Sequence, residues 1–330
     1  MTLSDSNHSG HAVCFESRFE SIEEFCQTLN VLGWNAEMRQ LEKGAGINSF
    51  STVATQYAAA ICFDFERRNH QIALPPSGFT TFGLPARPQA PGRIANRSLE
   101  SESILNIDPE QGMDAVVEGG FSGLTLAFPD ERIDYLGECL ELPDEVLRQE
   151  RGTERQPSAA TIDQLREAAQ GAIRLLQQNP ENTAAITLLE SELPMAMIEA
   201  WHGGRLMPRG KAHTRYRVMR RALEYIDAHP AEPHSIEALC GACATSVSTL
   251  ERAFQDHFGV SPKTYLTLFR LAGLRRALVA AEPQTTVTQA ANDWGFWHMG
   301  KLAADYRRAY NELPSATLAR ARSGSLPLAG

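Results

Sequence analysis

The chain has 330 residues, 43% hydrophobic and 22% charged, with a formal net charge of −9 at pH 7. That length predicts about two domains, each able to bury a core, and no apolar run nears the roughly 18 residues of a membrane span. The opening residues carry no basic region followed by an apolar block, so no secretory signal is expected and the cytoplasm is the expected compartment.

The first ten residues are polar and predicted to be disordered. Residues 21–29 read as a short amphipathic helix, with Ser21 as N-cap and Glu24 completing a capping box. Strand signals follow over residues 49–128, in the β-branched, aromatic or alternating stretches 52–65, 79–84, 103–107 and 121–128. Pro and Gly clusters at 74–78 and 86–92 separate them, which predicts a small β-sandwich or barrel enclosing a pocket. Helices come next. Residues 161–178 place Ile162, Leu165, Ala169, Ala172 and Leu176 on one face and stop before Asn179-Pro180. Asn182 caps a second helix to about residue 192, and Pro194 restarts or kinks it toward Trp201. These two helices either dock on the barrel or pair with another subunit. Residues 202–214 are Gly-rich, basic and aperiodic, as in a linker.

The C-terminal stretch 217–320 contains one pattern twice. Ile236, Leu239, Cys240, Cys243, Ala244, Leu250, Phe254, Phe258 and Pro262 recur as Val287, Ala290, Ala291, Trp294, Gly295, Leu302, Tyr306, Tyr310 and Pro314. The offset is 51 residues through Gly295 and 52 from Leu302, a one-residue insertion at the turn. A short apolar-faced helix, a tight turn and a longer helix with apolar residues every fourth position make a helix-turn-helix, present in tandem. Cys240 and Cys243 have CxxC spacing, but no second ligand pair follows and both fall on an inner helix face, so they read as core. Residues 211–322 hold 15 basic and 10 acidic residues, a local charge of +5, which leaves −14 for the rest. That asymmetry points toward nucleic acid.

Ser235 and Ser246 read as N-caps of the two helices of the first copy. With Leu250, Phe254 and Phe258 inward, Ser246, Ser248, Thr249, Glu251, Arg252 and Gln255 lie at the exposed start of the longer helix, where a recognition helix meets base edges. Arg252 is the strongest reader, because a guanidinium bridges guanine O6 and N7. In the second copy the outward set is His298, Met299, Lys301, Ala304, Asp305 and Arg308. His298 serves there as a DNA contact or as a cap. Ala304 is the counterpart of Arg252, so this copy is expected to read bases less and to hold phosphates more. A helix over residues 264–281, carrying Arg270, Arg275 and Arg276, joins the copies as a rigid spacer.

These residues resemble the AraC/XylS family of transcription regulators. The carriers are the tandem pattern, Ser246-Val-Ser-Thr-Leu-Glu-Arg-Ala-Phe254, Gly259-Val-Ser-Pro262, Arg270-Leu-Ala-Gly-Leu-Arg-Arg276, Trp294-Gly-Phe296, Tyr306 and Leu313-Pro314-Ser315. The string from Gly295 to Tyr306 is most similar to the subgroup that includes the ethanolamine-utilisation operon regulator. The resemblance implies an α+β chain: a cupin-like β-barrel or sandwich with flanking helices, sensing an effector and forming a homodimer, over residues 1–201, a linker over 202–214, and an all-α tandem helix-turn-helix domain over 215–322. It implies two recognition helices in successive major grooves of double-stranded DNA, RNA polymerase as a partner, and a ligand-responsive activator of a catabolic operon. The family's base-contacting positions fall on Ser248, Glu251 and Arg252 in the first helix, and on Met299, Gly300, Ala303 and Ala304 in the second. Asn311 stands where the second copy usually has glycine, which implies a slightly different helix end. The subgroup implies an amine or amino-alcohol effector and allows a cobalamin-type co-effector; no residue identifies the effector site.

Two other readings compete. An architectural or repressor DNA-binding protein without ligand would keep the C-terminal half and a degenerate sensor. A catalytic cupin would need clustered His and carboxylate ligands, yet only His8, His11 and His70 precede the linker, with no paired-His motif, phosphate loop or nucleophile elbow. No enzyme activity, metal or cofactor is therefore expected.

Overall fold

The computed structural model describes residues 11–88, 92–94, 97–142, 145–207, 214–229 and 234–323. Its first six strands are β1 (Val13–Phe19), β2 (Asn35–Gln40), β3 (Asn48–Ala54), β4 (Ala59–Phe65), β5 (Asn69–Leu74) and β6 (Phe79–Pro85). There follow β7 (Gly92–Ile94), β8 (Arg97–Ser98), β9 (Ile104–Ile107), β10 (Met113–Val117), β11 (Phe121–Pro129), β12 (Thr153–Gln156) and β13 (Arg205–Leu206). They form an eight-stranded sheet in the order β1-β3-β4-β11-β6-β9-β12-β13 and a five-stranded sheet in the order β2-β5-β10-β7-β8. The expected sandwich is present, and residues 52–65 divide into the β3–β4 hairpin, with Val53 opposite Ala60. β11 lies at the middle of the large sheet between β4 and β6. Both its faces are covered, so Phe121 to Phe128 are buried without a break, Ser122 and Thr125 included.

The N-terminal half also holds α1 (Ile22–Val31), α2 (Asp130–Cys139), α3 (Glu145–Gln149), α4 (Ala159–Gln178), α5 (Thr183–Thr187) and α6 (Leu193–Gly203). Ser21 caps α1 as read, its hydroxyl accepting from the Glu24 N–H at 3.2 Å. Between α5 and α6 the chain makes a π turn at Leu188–Glu192, just before Pro194, which has no N–H to give to the helical ladder. α4 and α6 dock on the large sheet: Ile162, Leu165, Ala169, Met197 and Trp201 share one core with Val53, Phe82, Leu124 and Phe128. Buried Arg166 fastens α4 by donating to the Pro85 carbonyl at 2.7 Å, and the Trp201 indole donates to Glu150 at 2.7 Å.

A second core fills the space between the sheets, where Phe25 of α1 meets Phe50, Ile61 and Phe65 of the large sheet and Met38 and Ala73 of the small one. Within the segment read as linker, His202 and Gly203 complete α6 and Arg205–Leu206 pair with β12. Residues 208–213, like the polar first ten, lie outside the described residues.

The C-terminal half holds α7 (Thr214–Ala228), α8 (Ile236–Cys243), α9 (Val247–Phe258), α10 (Pro262–Val279), α11 (Val287–Asp293), α12 (Met299–Tyr310) and α13 (Pro314–Arg322). α7, α8, α9 and the start of α10 enclose one core, with Met219, Leu239, Leu250, Phe254 and Tyr265 buried in it. The end of α10 with α11, α12 and α13 encloses another around Leu274, Ala291, Leu302 and Tyr306. Leu41 and Val116 of the N-terminal half belong to the first of these cores. The outer face of the small sheet is thus covered by the first helix-turn-helix. Among the described residues no helix is long and apolar enough to cross a membrane.

Candidate nucleic-acid interface

α8 begins at Ser235, whose hydroxyl accepts from the Ala238 N–H at 3.0 Å, and ends at Ala244, which turns the chain with φ 48°. Left-handed backbone at a residue with a Cβ costs about 1–2 kcal/mol, and in the second copy Gly295 takes the equivalent place with φ 72°. α9 then starts on Ser246, whose hydroxyl accepts from the Thr249 N–H at 3.3 Å and contacts the Thr249 hydroxyl at 3.0 Å. Ser246 and Thr249 therefore build the helix start. Leu250, Ala253, Phe254 and Phe258 turn inward, each burial of a large apolar side chain contributing roughly 1.5–3 kcal/mol. The opposite face leaves Val247, Ser248, Glu251, Arg252 and Gln255 exposed, with Thr249 half-buried. Arg252 has no ion-pair partner among the described residues, so its guanidinium is available to an acceptor outside the chain.

The second copy repeats this frame with changes. Thr286 caps α11 by accepting from the Gln289 N–H at 3.1 Å. The one-residue insertion is Trp297, 70% exposed just before α12. Counting hydrophobic positions alone passes over it, and an exposed aromatic beside a recognition helix is its only signal. His298 occupies the N-cap position of α12, but its ring makes no capping hydrogen bond. It stands exposed with Lys301, Ala304 and Arg308, while Met299 is half-buried. The Arg308 guanidinium is held on its own helix by Asp305 and donates from Nε to the Ala304 carbonyl at 3.3 Å. Asn311 corrects an expectation. It ends α12 at φ 56°, ψ 15°, close to the φ 65°, ψ 16° with which Gly259 ends α9, so the two helix ends match. Asparagine tolerates this left-handed region better than most residues.

The spacer helix differs from a solvent-facing rod. Arg275 is buried and pairs with Glu312 at 2.6 Å, and it approaches Glu24 at 3.7 Å and Glu23 at 3.9 Å across the junction with the N-terminal half. Its guanidinium lies over the Tyr310 ring, 4.6 Å from the centroid. Burial pushes the carboxyls of Glu23 and Glu24 up, against the pull of Arg275. The junction continues where the Gly44 N–H donates to the Arg308 carbonyl at 2.8 Å. Beside that bond a cleft of about 820 Å³ separates Gly44, Ala45 and Arg67 from Ala303, Ala304, Arg307 and Arg308. One flank of α12, including two of the positions expected to contact bases, thus overlooks the N-terminal half.

The sequence offered no metal ligands, yet the fold draws together three residues far apart in the chain: His70 of β5, Asp114 of β10 and His257 of α9. Cys240 and Cys243 are free thiols, half-buried and buried as read, and burial pushes both up.

Residues 239–320 match the helix-turn-helix domain family. Over 102 residues the chain is 31% identical to the "Probable thc operon regulatory protein" of Rhodococcus erythropolis, covering 31% of each chain. It is 33% identical over 99 residues to the "XylDLEGF operon transcriptional activator" of Pseudomonas putida, covering 30% of this chain and 31% of that one. The match thus spans about a third of the length of these curated relatives. A solved "probable AraC family transcriptional regulator" from Rhodopseudomonas palustris is 38% identical, over 32% of this chain and 96% of that one, with a TM-score of 0.30.

Proposed function

We propose that this chain is an AraC-type, sequence-specific DNA-binding regulator in which α9 reads bases and α12 chiefly holds the backbone; the helix-turn-helix match over residues 239–320 and the likeness of its C-terminal third to operon regulators support this reading. The observation that supports this reading most is the face of α9: Ser248, Glu251, Arg252 and Gln255 exposed around a capped helix start, over a fully buried Leu250 and Phe254. Arg252 takes guanine. Lys301, with Trp297 and His298 beside it, takes the sugar-phosphate backbone. The matched operon activator from Pseudomonas putida supports activation of an operon as the output; RNA polymerase and a second copy of the chain are the partners proposed for it.

The sensor half is the place for an effector. Two small cavities of about 30 Å³ each lie between the sheets and share Phe63, Gln71, Ile107, Met113 and Thr125. Their lining is apolar apart from Gln71 and Thr125 and contains no carboxylate. An amine would find no counter-charge there, so the effector proposed is neutral and largely apolar, entering as Phe63 moves. The architectural reading draws on the smallness of the same cavities. A change of DNA affinity with any small molecule decides between the two.

Selection of bound duplexes from a random pool by the full chain tests the proposal. Two preferred blocks about 34 Å apart, one turn of B-DNA, are expected. Arg252→Ala should cost about 1–3 kcal/mol on the selected site and relax one base pair. Equal weakening on every duplex would rule out base readout by Arg252, and a pool without enrichment would overturn sequence-specific binding altogether.

A further inference from the structure

β5 and β10 pair so that His70 lies opposite Val116 and Ile72 opposite Asp114. With the two-residue period of a strand, His70, Ile72, Asp114 and Val116 share the outer face of the small sheet. That face meets the first helix-turn-helix, and His257 arrives on it from the inner side of α9. Asp114 Oδ1 lies 3.1 Å from His70 Nε2 and 3.2 Å from His257 Nε2. Its other oxygen accepts from the Tyr216 hydroxyl at 3.2 Å. Both imidazoles are 1% exposed and the carboxylate 11%.

We infer that His70, Asp114 and His257 bind a first-row divalent transition ion of the zinc type, which ties the sensor half to the first recognition helix. Two imidazoles and a carboxylate are a ligand set for such ions. With metal–ligand bonds of about 2.0–2.2 Å, tetrahedral geometry sets ligand atoms about 3.3 Å apart. The two nitrogen–oxygen separations already match that edge, and all three donor atoms lie within 4.8 Å of one another. The Tyr265 hydroxyl, 3.4 Å from His70 Nδ1, supplies the outer-shell partner that orients a ligating imidazole. His257 Nδ1 is buried with no hydrogen-bond partner, so hydrogen bonding alone leaves this cluster incomplete.

Arg39, whose charge bears on His70, is engaged elsewhere. It is held at 2.7 Å by Asp227 and at 2.8 Å by Glu37, and donates to the Tyr265 hydroxyl at 2.7 Å. An ion at the cluster would fix the arrangement in which one flank of α12 overlooks the sensor half. It should therefore weaken DNA binding; this last step alone rests on the regulator reading above.

The test uses the full chain, freed of metal by dialysis against a chelator and titrated with Co²⁺. Saturation at one equivalent, with the visible absorption of four-coordinate cobalt and displacement by Zn²⁺, is expected. His70→Gln and His257→Gln, one on each side of the junction, should each weaken Co²⁺ binding by at least about 100-fold, the upper end of losses seen when only an outer-shell partner is removed. His11→Ala, at an exposed imidazole paired with Glu181, should leave it unchanged. Absence of saturable binding in the unsubstituted chain, or binding by both glutamine variants as tight as that of the unsubstituted chain, overturns the inference. DNA affinity measured with and without Zn²⁺ should differ by a factor in the roughly 5–150-fold range of coupled sites. If neither form binds DNA, the regulator reading fails while the cobalt titration still decides the ion site.

Discussion

A Cβ added to Gly273 would lie 2.1 Å from Cζ3 of Trp294, so the indole occupies the space of the missing side chain. Gly273 is on α10 and Trp294 closes α11, which makes this contact the seat of the second helix-turn-helix on the spacer helix. Gly273→Ala should therefore destabilise the chain by about 1–3 kcal/mol, the usual cost of overpacking, in denaturant or thermal unfolding. Gly241→Ala is the contrast. A Cβ there meets nothing within 4 Å, and removing a helical glycine should stabilise α8 by about 0.5–1 kcal/mol.

Arg275 is buried among Glu23, Glu24 and Glu312. Replacing it with Met keeps the bulk and deletes the charge. Leaving buried carboxylates unpaired typically costs about 3–5 kcal/mol, and the low end is expected because Arg320 still reaches Glu312 at 3.0 Å. A chemical melt measures the loss. A neutral outcome would mean that the junction is not closed in solution.

The junction should also respond to pH. Burial lowers the His70 pKa from its ordinary 6.5. The unfolded chain then binds the extra proton first, so stability is full above about pH 6.5 and declines as pH falls through that value. Asp114, whose pKa is depressed from 3.8, contributes above that pH and loses its contribution only as pH drops further. Arg39, His257, Tyr216 and Tyr265 are the other groups facing this pair. Melting temperature followed from pH 8 to pH 5 should fall for the parent chain and fall less for His70→Gln.

Trp297→Ala and Lys301→Ala should separate two roles on α12. Removing Lys301 should lower the salt slope of DNA binding by about 1 if it meets a phosphate. Removing Trp297 should weaken binding without changing that slope, because it carries no charge. Identical effects in a salt series would contradict this division.

The helix-turn-helix pair is legible in the sequence because its signals are local: Ser246 caps three residues before Thr249, and Leu250, Phe254 and Phe258 follow at helical spacing. The barrel is legible where a strand has two apolar faces, as in β11, and obscure where it does not. β5 reads Asn-His-Gln-Ile-Ala-Leu, and three polar side chains at its start are buried. Gln71 is satisfied by Asn69 at 2.8 Å, but His70 needs Asp114 and Tyr265, 44 and 195 residues away. No window of sequence contains those partners, so the strand resembles a loop and its ligand-like triad cannot be anticipated. Asn311 failed as a signal for the opposite reason: a residue with a Cβ took the backbone conformation expected of glycine.

β10 carries one more consequence. Met113, Ala115 and Val117 line the cavities between the sheets, whereas Asp114 and Val116 project from the other side toward the DNA-binding half. A molecule that pries the barrel open and the surface that would register its arrival are thus neighbours along a single stretch of backbone. Lifting Met113 by the width of a methyl group would disturb the peptide that also carries Asp114.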